Sequence, residues 1–193
     1  LFSCVPTVNK AAVAAAVGAA DAAQAVGENL ACLLRGYAPI HRAARRQRVP
    51  TIGVSHGTVF GCISEHGVPM AGFDHEFTTG ALFAAEAQAF MLGHIHRHQS
   101  WAAEGAAGGQ CIAYAGSISR FHYGEEGEKG FLLWEVDADQ ARYRLEPTPA
   151  RRTIDIVFDG KPDLEALRAT VAQQDVAGAF VRVRWTVADE DRH

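Results

Sequence analysis

The order of strand-like and helix-like segments constrains the fold of this chain more than any other feature. A short apolar strand, "LFSCVP", precedes an alanine-rich stretch with little β-branching that runs from Thr7 to Arg48, and the buried strand "VPTIGVSH" follows it. Alanine favours helix, and Gly18 and the segment Gly36–Pro39 predict breaks that divide the stretch into two or three helices. Its apolar residues recur at helical spacing, which indicates packing on a sheet. The pattern predicts an α/β fold.

The rest of the chain continues this alternation. A glycine-punctuated stretch over 57–80 leads to a helical "ALFAAEA" and the strand "AFMLG". Three more strands are predicted, "CIAYAGS", "KGFLLWEVD" and "ARYRLEPT", with a turn near Asp137–Gln140. After Pro147 and Pro149 the pattern restarts as strand "TIDIVF", helix "LEALRATVAQQ" and strand "AFVRVRWTV". We therefore predict two domains, residues 1–148 and 149–193. The second should have its own small core, formed by Ile154, Ile156, Phe158, Leu164, Leu167, Phe180 and Val183.

Composition excludes several classes of protein. The net charge of −4 gives no general attraction to nucleic acid or anionic membrane, so such binding would need a local patch. No run approaches the ~20 apolar residues of a membrane span, and we expect a cytoplasmic protein without membrane contact. The cysteines form no C-x-x-C motif, which predicts reduced, buried thiols rather than disulfides or a thiolate zinc site. Because the first residue is Leu1, we expect a piece of a longer protein.

Histidines are concentrated at the ends of two predicted strands. His94 and His96 follow "AFML" and Gly93, and their alternate spacing points both side chains the same way on an extended segment. His56 ends the strand "TIGVSH" and is itself followed by glycine. Strand ends of α/β proteins line the crevice where ligands bind, and neutral imidazole is the commonest metal ligand. We predict a metal site at His56, His94 and His96. His98 should lie past it and contact substrate or solvent.

The other histidines and a few polar or aromatic groups carry weaker signals. The histidines at 41, 66 and 122 are expected to be ordinary surface or turn residues. The arginines of "HRAARRQR", residues 41–48, could contact DNA phosphates, although a solvated helix end is the preferred interpretation. Asp74, His75 and Glu76 could form a second metal or acid–base site, and a polar loop is preferred. Trp101 and Phe121 could stack on bases or belong to the core.

The histidine motifs carry a family resemblance. The segments "VSHG" and "GHIHRHQ" resemble the fourth and fifth motifs of calcineurin-like metallophosphoesterases. The first histidine of the second segment, His94, follows His56 by 38 positions. "YAGSISRFHYGEEGEKGFLLWEV" narrows the resemblance to SbcD-type DNA repair exonucleases, in which a Y-x-G-S turn precedes an acidic loop and a K-G-F strand. The tail is similar to the capping domain of those proteins. The residues that match the Y-x-G-S and K-G-F text are Tyr114, Gly116, Ser117, Glu128, Lys129, Gly130 and Phe131.

The resemblance implies a fold, an activity and partners. The fold would be the C-terminal half of a metallophosphoesterase α/β sandwich followed by a small α/β capping domain. The activity would be hydrolysis of DNA phosphodiesters by two Mn²⁺ ions bridged by a carboxylate, with His56 and His94 binding one ion and His96 the other. The implied partners are DNA ends and an SbcC-type ATPase subunit, and a homodimer is compatible with the resemblance.

The sequence departs from the family in its first three motifs, D-x-H, G-D-x-x-D and G-N-H-[DE]. It contains no Gly-Asp pair, its asparagines Asn9 and Asn29 are not followed by histidine, and its one D-x-H is residues 191–193, in the wrong order. The chain should therefore carry only the C-terminal half of the site, bind at most one ion and be inactive alone. Two alternatives stay open, a phosphodiesterase for small phosphoesters and a non-catalytic scaffold that binds the ATPase or DNA.

Overall fold

A computed structural model describes residues 1–18, 21–70, 76–103, 109–125 and 127–188. The strands are β1 Phe2–Val5, β2 Ile52–His56, β3 Ala89–Gly93, β4 Gln99–Ala103, β5 Gln110–Tyr114, β6 Gly130–Val136, β7 Ala141–Pro147, β8 Thr153–Phe158 and β9 Phe180–Trp185. The helices are α1 Lys10–Val17, α2 Ala22–Arg46, α3 Thr79–Phe83 and α4 Leu164–Ala172. In the described part of the chain, no helix is both long enough and apolar enough to cross a membrane.

The main sheet has five strands in the order β1-β2-β3-β5-β4. Strands β1, β2, β3 and β5 pair in parallel, and β4 pairs antiparallel with β5 at the edge. This mostly parallel sheet with helical connections confirms the α/β class. Strand β4 was not predicted, because its sequence, "QSWAA", contains no β-branched residue and is marked as a strand only by its pairing with β5.

Helix α2 contradicts one of the two predicted breaks. The chain does break at Gly18, whose φ of +95° ends α1, but α2 continues through Gly36 and Pro39. Its buried residues on either side of Pro39, among them Leu34 and His41, remain on one stripe that faces the core. Burial of this stripe outweighs the backbone hydrogen bond that proline removes, so packing overrides the local breaker. The core that α2 covers includes Val5, Val26, Leu30, Leu34, Leu82, Phe90 and Ile112.

His41 lies inside this core, and the expectation of a surface or turn histidine is wrong for it. The side chain is 0% exposed. Its Nδ1 donates to the carbonyl of Ala85 at 2.6 Å, so in the neutral ring Nε2 accepts from the hydroxyl of Ser3 at 2.7 Å. These bonds satisfy both ring nitrogens, and they join α2 to β1 and to the segment after α3.

The stability of the protein should depend on pH through His41. Burial lowers the pKa of His41 below its ordinary value; the bond to Ala85 and the charge of Glu86 oppose this, while Arg45 and the N-terminal ammonium add to it. As pH falls below about 6.5, the unfolded chain binds a proton that the folded chain resists. The free energy of unfolding should then fall by up to about 1.4 kcal/mol per pH unit. Urea denaturation between pH 7 and 5 measures this slope.

His41→Gln should reduce that slope, whatever its effect on stability at pH 7, because glutamine does not titrate. The matched control is His66→Gln, at a histidine side chain that is 49% exposed, and it should retain the slope of the unmodified protein. An unchanged slope in His41→Gln would assign the acid sensitivity to other groups.

Two smaller sheets follow the main one. Strands β6 and β7 form an antiparallel hairpin whose turn lies at Asp137–Gln140, as predicted: Asp137 N–H donates to the Gln140 carbonyl, and the Asp137 carboxylate accepts from the N–H groups of Asp139 and Gln140. Strands β8 and β9 form a separate parallel pair linked by α4. This is the predicted β-α-β unit, and the domain boundary itself stays a prediction.

The core predicted for the tail is formed only in part. Ile156 is buried, whereas Leu164 and Phe180 are 60% and 51% exposed. A single helix on two strands is too small to cover them. The unit also contacts the preceding loop, where the guanidinium of Arg182 lies 4.5 Å from the centre of the Tyr123 ring.

Candidate metal centre

The parallel register of β2 and β3 brings the predicted histidines to one edge of the sheet. His56 is the last residue of β2 and lies opposite Gly93, the last residue of β3, so that His94 follows directly. The rings of His56 and His94 are 5.2 Å apart, centre to centre. Both side chains and His96 line one cavity of about 760 Å³. The three histidines chosen from sequence are thus gathered in one pocket, and their role as metal ligands stays a prediction.

Gly93 makes room for the ring of His56. A Cβ on Gly93 would lie 2.8 Å from His56 Nδ1, closer than real Cβ atoms approach other atoms. The next residue, His94, has a φ of +107°, a backbone conformation that residues other than glycine rarely adopt. Such strain costs about 1–3 kcal/mol and is concentrated at functional sites. The backbone here is shaped around the two imidazoles.

Gly93→Ala should displace the His56 ring and weaken metal binding at the pocket. We expect at least a tenfold loss of Zn²⁺ affinity by calorimetry, a size typical of disturbing a group that orients a ligand. The contact is with a movable side chain, so the protein should stay folded. Gly80→Ala is the matched control, because nothing lies within 4 Å of its Cβ position. Equal affinities in both variants would show that His56 does not contribute to binding.

His96 has an unsatisfied nitrogen. Its Nδ1 is buried and has no hydrogen-bond partner in the structure, and its ring lies 5.5 Å from that of Phe121. A buried nitrogen without a partner costs about 1–3 kcal/mol, and an imidazole nitrogen is a good ligand for a divalent metal. This orphaned nitrogen fits a metal ion. Among the described residues, however, no three His, Cys, Asp or Glu side chains are close enough to hold one ion together.

Tyr114 anchors the loop that follows His56. Its hydroxyl donates to the carbonyl of Gly57 at 2.5 Å and accepts from the N–H of Val59 at 3.0 Å. The side chain is fully buried, and burial raises its pKa well above the ordinary value. The phenol therefore stays neutral and keeps both bonds. In the sequence, Tyr114 is marked only by the Y-x-G-S text, which gives no sign of this function.

A buried ion pair, outside the lining of the pocket, bonds to residues that line it. Lys129 and Glu125 are 2% and 0% exposed, and their charged atoms are 2.5 Å apart. Burial alone would raise the pKa of the Glu125 carboxyl, but bonds from Lys129 and from the N–H groups of Phe121 and His122 hold it below its ordinary value. In the sequence, Lys129 is marked by the K-G-F text, and no motif marks Glu125. An acidic loop usually lies in solvent, so its pattern gave no signal of burial.

The remaining candidate residues lie elsewhere or have other partners. His98 donates from Nδ1 to the carbonyl of Tyr114 at 2.7 Å, so it joins protein segments instead of facing the pocket. Glu76 accepts from the N–H of Thr58 at 2.7 Å, and Asp74 and His75 lie outside the described residues.

The two aromatic candidates, Trp101 and Phe121, lie in different environments. Trp101 packs on the core with its ring 6.0 Å from that of Tyr114. Phe121, in contrast, is 63% exposed and lines the histidine pocket. Of the two, Phe121 is therefore placed to meet a flat ligand.

Most arginines of residues 41–48 form ion pairs with nearby carboxylates. Arg42 and Arg45 pair with Glu86, and Arg48 pairs with Asp139. These pairs favour a structural helix end over a phosphate-binding patch.

The prediction of buried thiols holds for Cys62 and is wrong for the exposed Cys4 and Cys32, although all four cysteines are free.

The sequence matches no protein-family model and no curated protein. The resemblance to SbcD-type exonucleases therefore rests on the motifs quoted above, and the geometry of the pocket is an independent observation.

Proposed function

We propose that this chain is the C-terminal part of an SbcD-type DNA exonuclease, whose parent protein hydrolyses phosphodiesters at DNA ends with two Mn²⁺ ions. One observation carries the proposal: three histidines line a single pocket at the end of adjacent parallel strands, and one of them has a buried nitrogen without a partner. Ligand sites of α/β proteins lie at this edge of the sheet.

The residues have distinct tasks in this proposal. His56 and His94, whose rings are in contact, would hold one ion, and His96 the other. Bound Mn²⁺ neutralises charge on a phosphate and lowers the pKa of a coordinated water. The exposed ring of Phe121 and the apolar side chains of Met70 and Ile118 line the same pocket and would contact the sugar and base beside the phosphate.

A second candidate, a scaffold that binds an SbcC-type ATPase without cutting DNA, is favoured by the surface of the tail. Val157, Leu164 and Phe180 are each more than half exposed there. Such side chains mark a protein interface where they form a contiguous patch. Both candidates would use this surface, and they differ only in whether the pocket is catalytic.

The test uses the protein with whatever coding sequence precedes Leu1 in its gene. Mn²⁺-dependent degradation of linear duplex DNA is expected, with little hydrolysis of a small aryl phosphodiester, and His94→Ala should abolish it. The reverse substrate preference would favour the small-phosphoester phosphodiesterase. No hydrolysis of either substrate, combined with binding of DNA, would favour the scaffold.

A further inference from the structure

The backbone of His96 is held by the buried side chain of Lys129. The Lys129 ammonium donates to the His96 carbonyl at 3.0 Å and to the Ser117 hydroxyl at 3.0 Å, while it contacts Glu125 at 2.5 Å. Two of the three ammonium donors are used in these hydrogen bonds, and the contact with Glu125 is an ion pair. The N–H of Ser117 also donates to the His96 carbonyl, at 3.2 Å. The segment that carries His96 is thus tied to the start of the 117–125 loop.

Glu125 fixes the other end of that loop. One of its carboxylate oxygens, Oε1, accepts from the N–H groups of Phe121 and His122 at 2.9 and 2.8 Å. Between these two attachments lie Ile118 and Phe121, which line the pocket although both are more than 60% exposed. Because little of either side chain is buried, its position depends largely on these backbone attachments, together with the bond from the Thr148 hydroxyl to the Ile118 carbonyl and the contact of Phe121 with His96.

Burial of a lysine and a glutamate is weak evidence for stability, since an apolar pair of similar volume often serves as well. The partners of this pair suggest a geometric role instead. We propose that Lys129 is a positioning residue, which holds the His96 ring and the Ile118–Phe121 wall in the conformation that binds a metal ion. This rests on the proposed function, because it assumes that His96 binds metal.

A double variant separates positioning from stability. Lys129→Met with Glu125→Gln removes both charges at nearly constant volume, and the glutamine Oε1 still accepts from Phe121 and His122. The variant should therefore fold, but the contacts of the ammonium with His96 and Ser117 are lost. In the chain labelled with ¹⁵N-histidine, the His96 ring resonances of the metal-free protein should shift. Zn²⁺ affinity by calorimetry should fall 10-fold to 100-fold.

The control removes an exposed ion pair, with Arg48→Met and Asp139→Asn, and should leave both the ring resonances and Zn²⁺ affinity unchanged. The proposal would be overturned if the double variant at Lys129 and Glu125 folds and its His96 ring resonances and Zn²⁺ affinity equal those of the unmodified chain. If that variant does not fold, Lys129→Met alone removes the bonds of the ammonium to His96 and Ser117 and should shift the same resonances; unchanged resonances would again overturn the proposal.

The two proposals fail in distinguishable ways. If the unmodified chain binds no Zn²⁺, the metal site of the proposed function is lost. The ring resonances of metal-free His96 would still show whether Lys129 positions this residue.

Discussion

The 193-residue chain should bind at most one divalent ion at the histidine pocket and should not cleave DNA by itself. Two divalent ions ~3.7 Å apart repel by roughly 18 kcal/mol at an effective dielectric of ~20, before solvent and counter-charges reduce that value. Paired-metal enzymes offset this repulsion with a bridging carboxylate. His56, His94 and His96 are neutral when they bind metal and contribute no negative charge, and Glu65 is the one carboxylate among the described residues that line the pocket. A single Zn²⁺ or Ni²⁺ suits imidazole ligands, so one ion is the expected limit.

Equilibrium dialysis with Mn²⁺ and Zn²⁺, combined with an assay on linear duplex DNA, measures both parts of this prediction. His94→Ala should lower the affinity for the single ion at least tenfold. His66→Ala should not, because that exposed histidine does not line the pocket. Two bound ions with strong Mn²⁺-dependent cutting, lost in His94→Ala, would show that these 193 residues supply the missing anionic ligands themselves.

Tyr114→Phe should destabilise the protein by about 3 kcal/mol, the summed cost of two buried backbone groups that lose their partner. The groups are the carbonyl of Gly57 and the N–H of Val59, both of which the phenol binds now. Because these residues follow His56 directly, the loop should also loosen, and Zn²⁺ affinity should fall together with stability. Urea denaturation and calorimetry measure the two effects.

Tyr143→Phe is the matched control. Its hydroxyl donates to the side chain of Ser100 at 2.6 Å and lies 3.4 Å from His98 Nε2 near the edge of the sheet, and no buried backbone group depends on it, so its loss should change stability by less than about 1 kcal/mol. A Tyr114→Phe variant as stable as this control would mean that water or another group replaces the phenol. If Tyr114→Phe is destabilised as expected but its Zn²⁺ affinity is unchanged, the loop after His56 does not affect metal binding.

Several features of the fold and the candidate site followed from local sequence. Strands β2 and β3 are apolar runs that end at His56 and Gly93, which is enough to predict histidines at the strand ends; the extended segment expected for His94 and His96 is wrong, because β3 ends at Gly93 and His94 has a φ of +107°. Gly18 ends a helix through its positive φ, and the Asp137 carboxylate closes a turn with its own neighbours. Each of these depends on contacts within a few residues, so each could be predicted from the sequence alone.

Other features were decided by contacts between residues far apart in the chain. Pro39 breaks a helix by local rules, yet α2 continues because Leu34 and His41 are buried on one stripe against the sheet. His41 is polar, and it is buried because Ser3 and Ala85, 38 and 44 residues away, satisfy its ring.

Contacts between distant residues also shape the wall of the pocket. Glu125 bonds to groups within four residues of itself, but the ammonium of Lys129 also binds the His96 carbonyl, 33 residues before it, and the text "GEEGEKG" gives no sign of that contact. Local sequence placed His56 and Gly93 at strand ends, and the parallel pairing of β2 with β3 brought the histidines together. The free energy of burial, which depends on groups distant in sequence, decided what surrounds them and holds them in place.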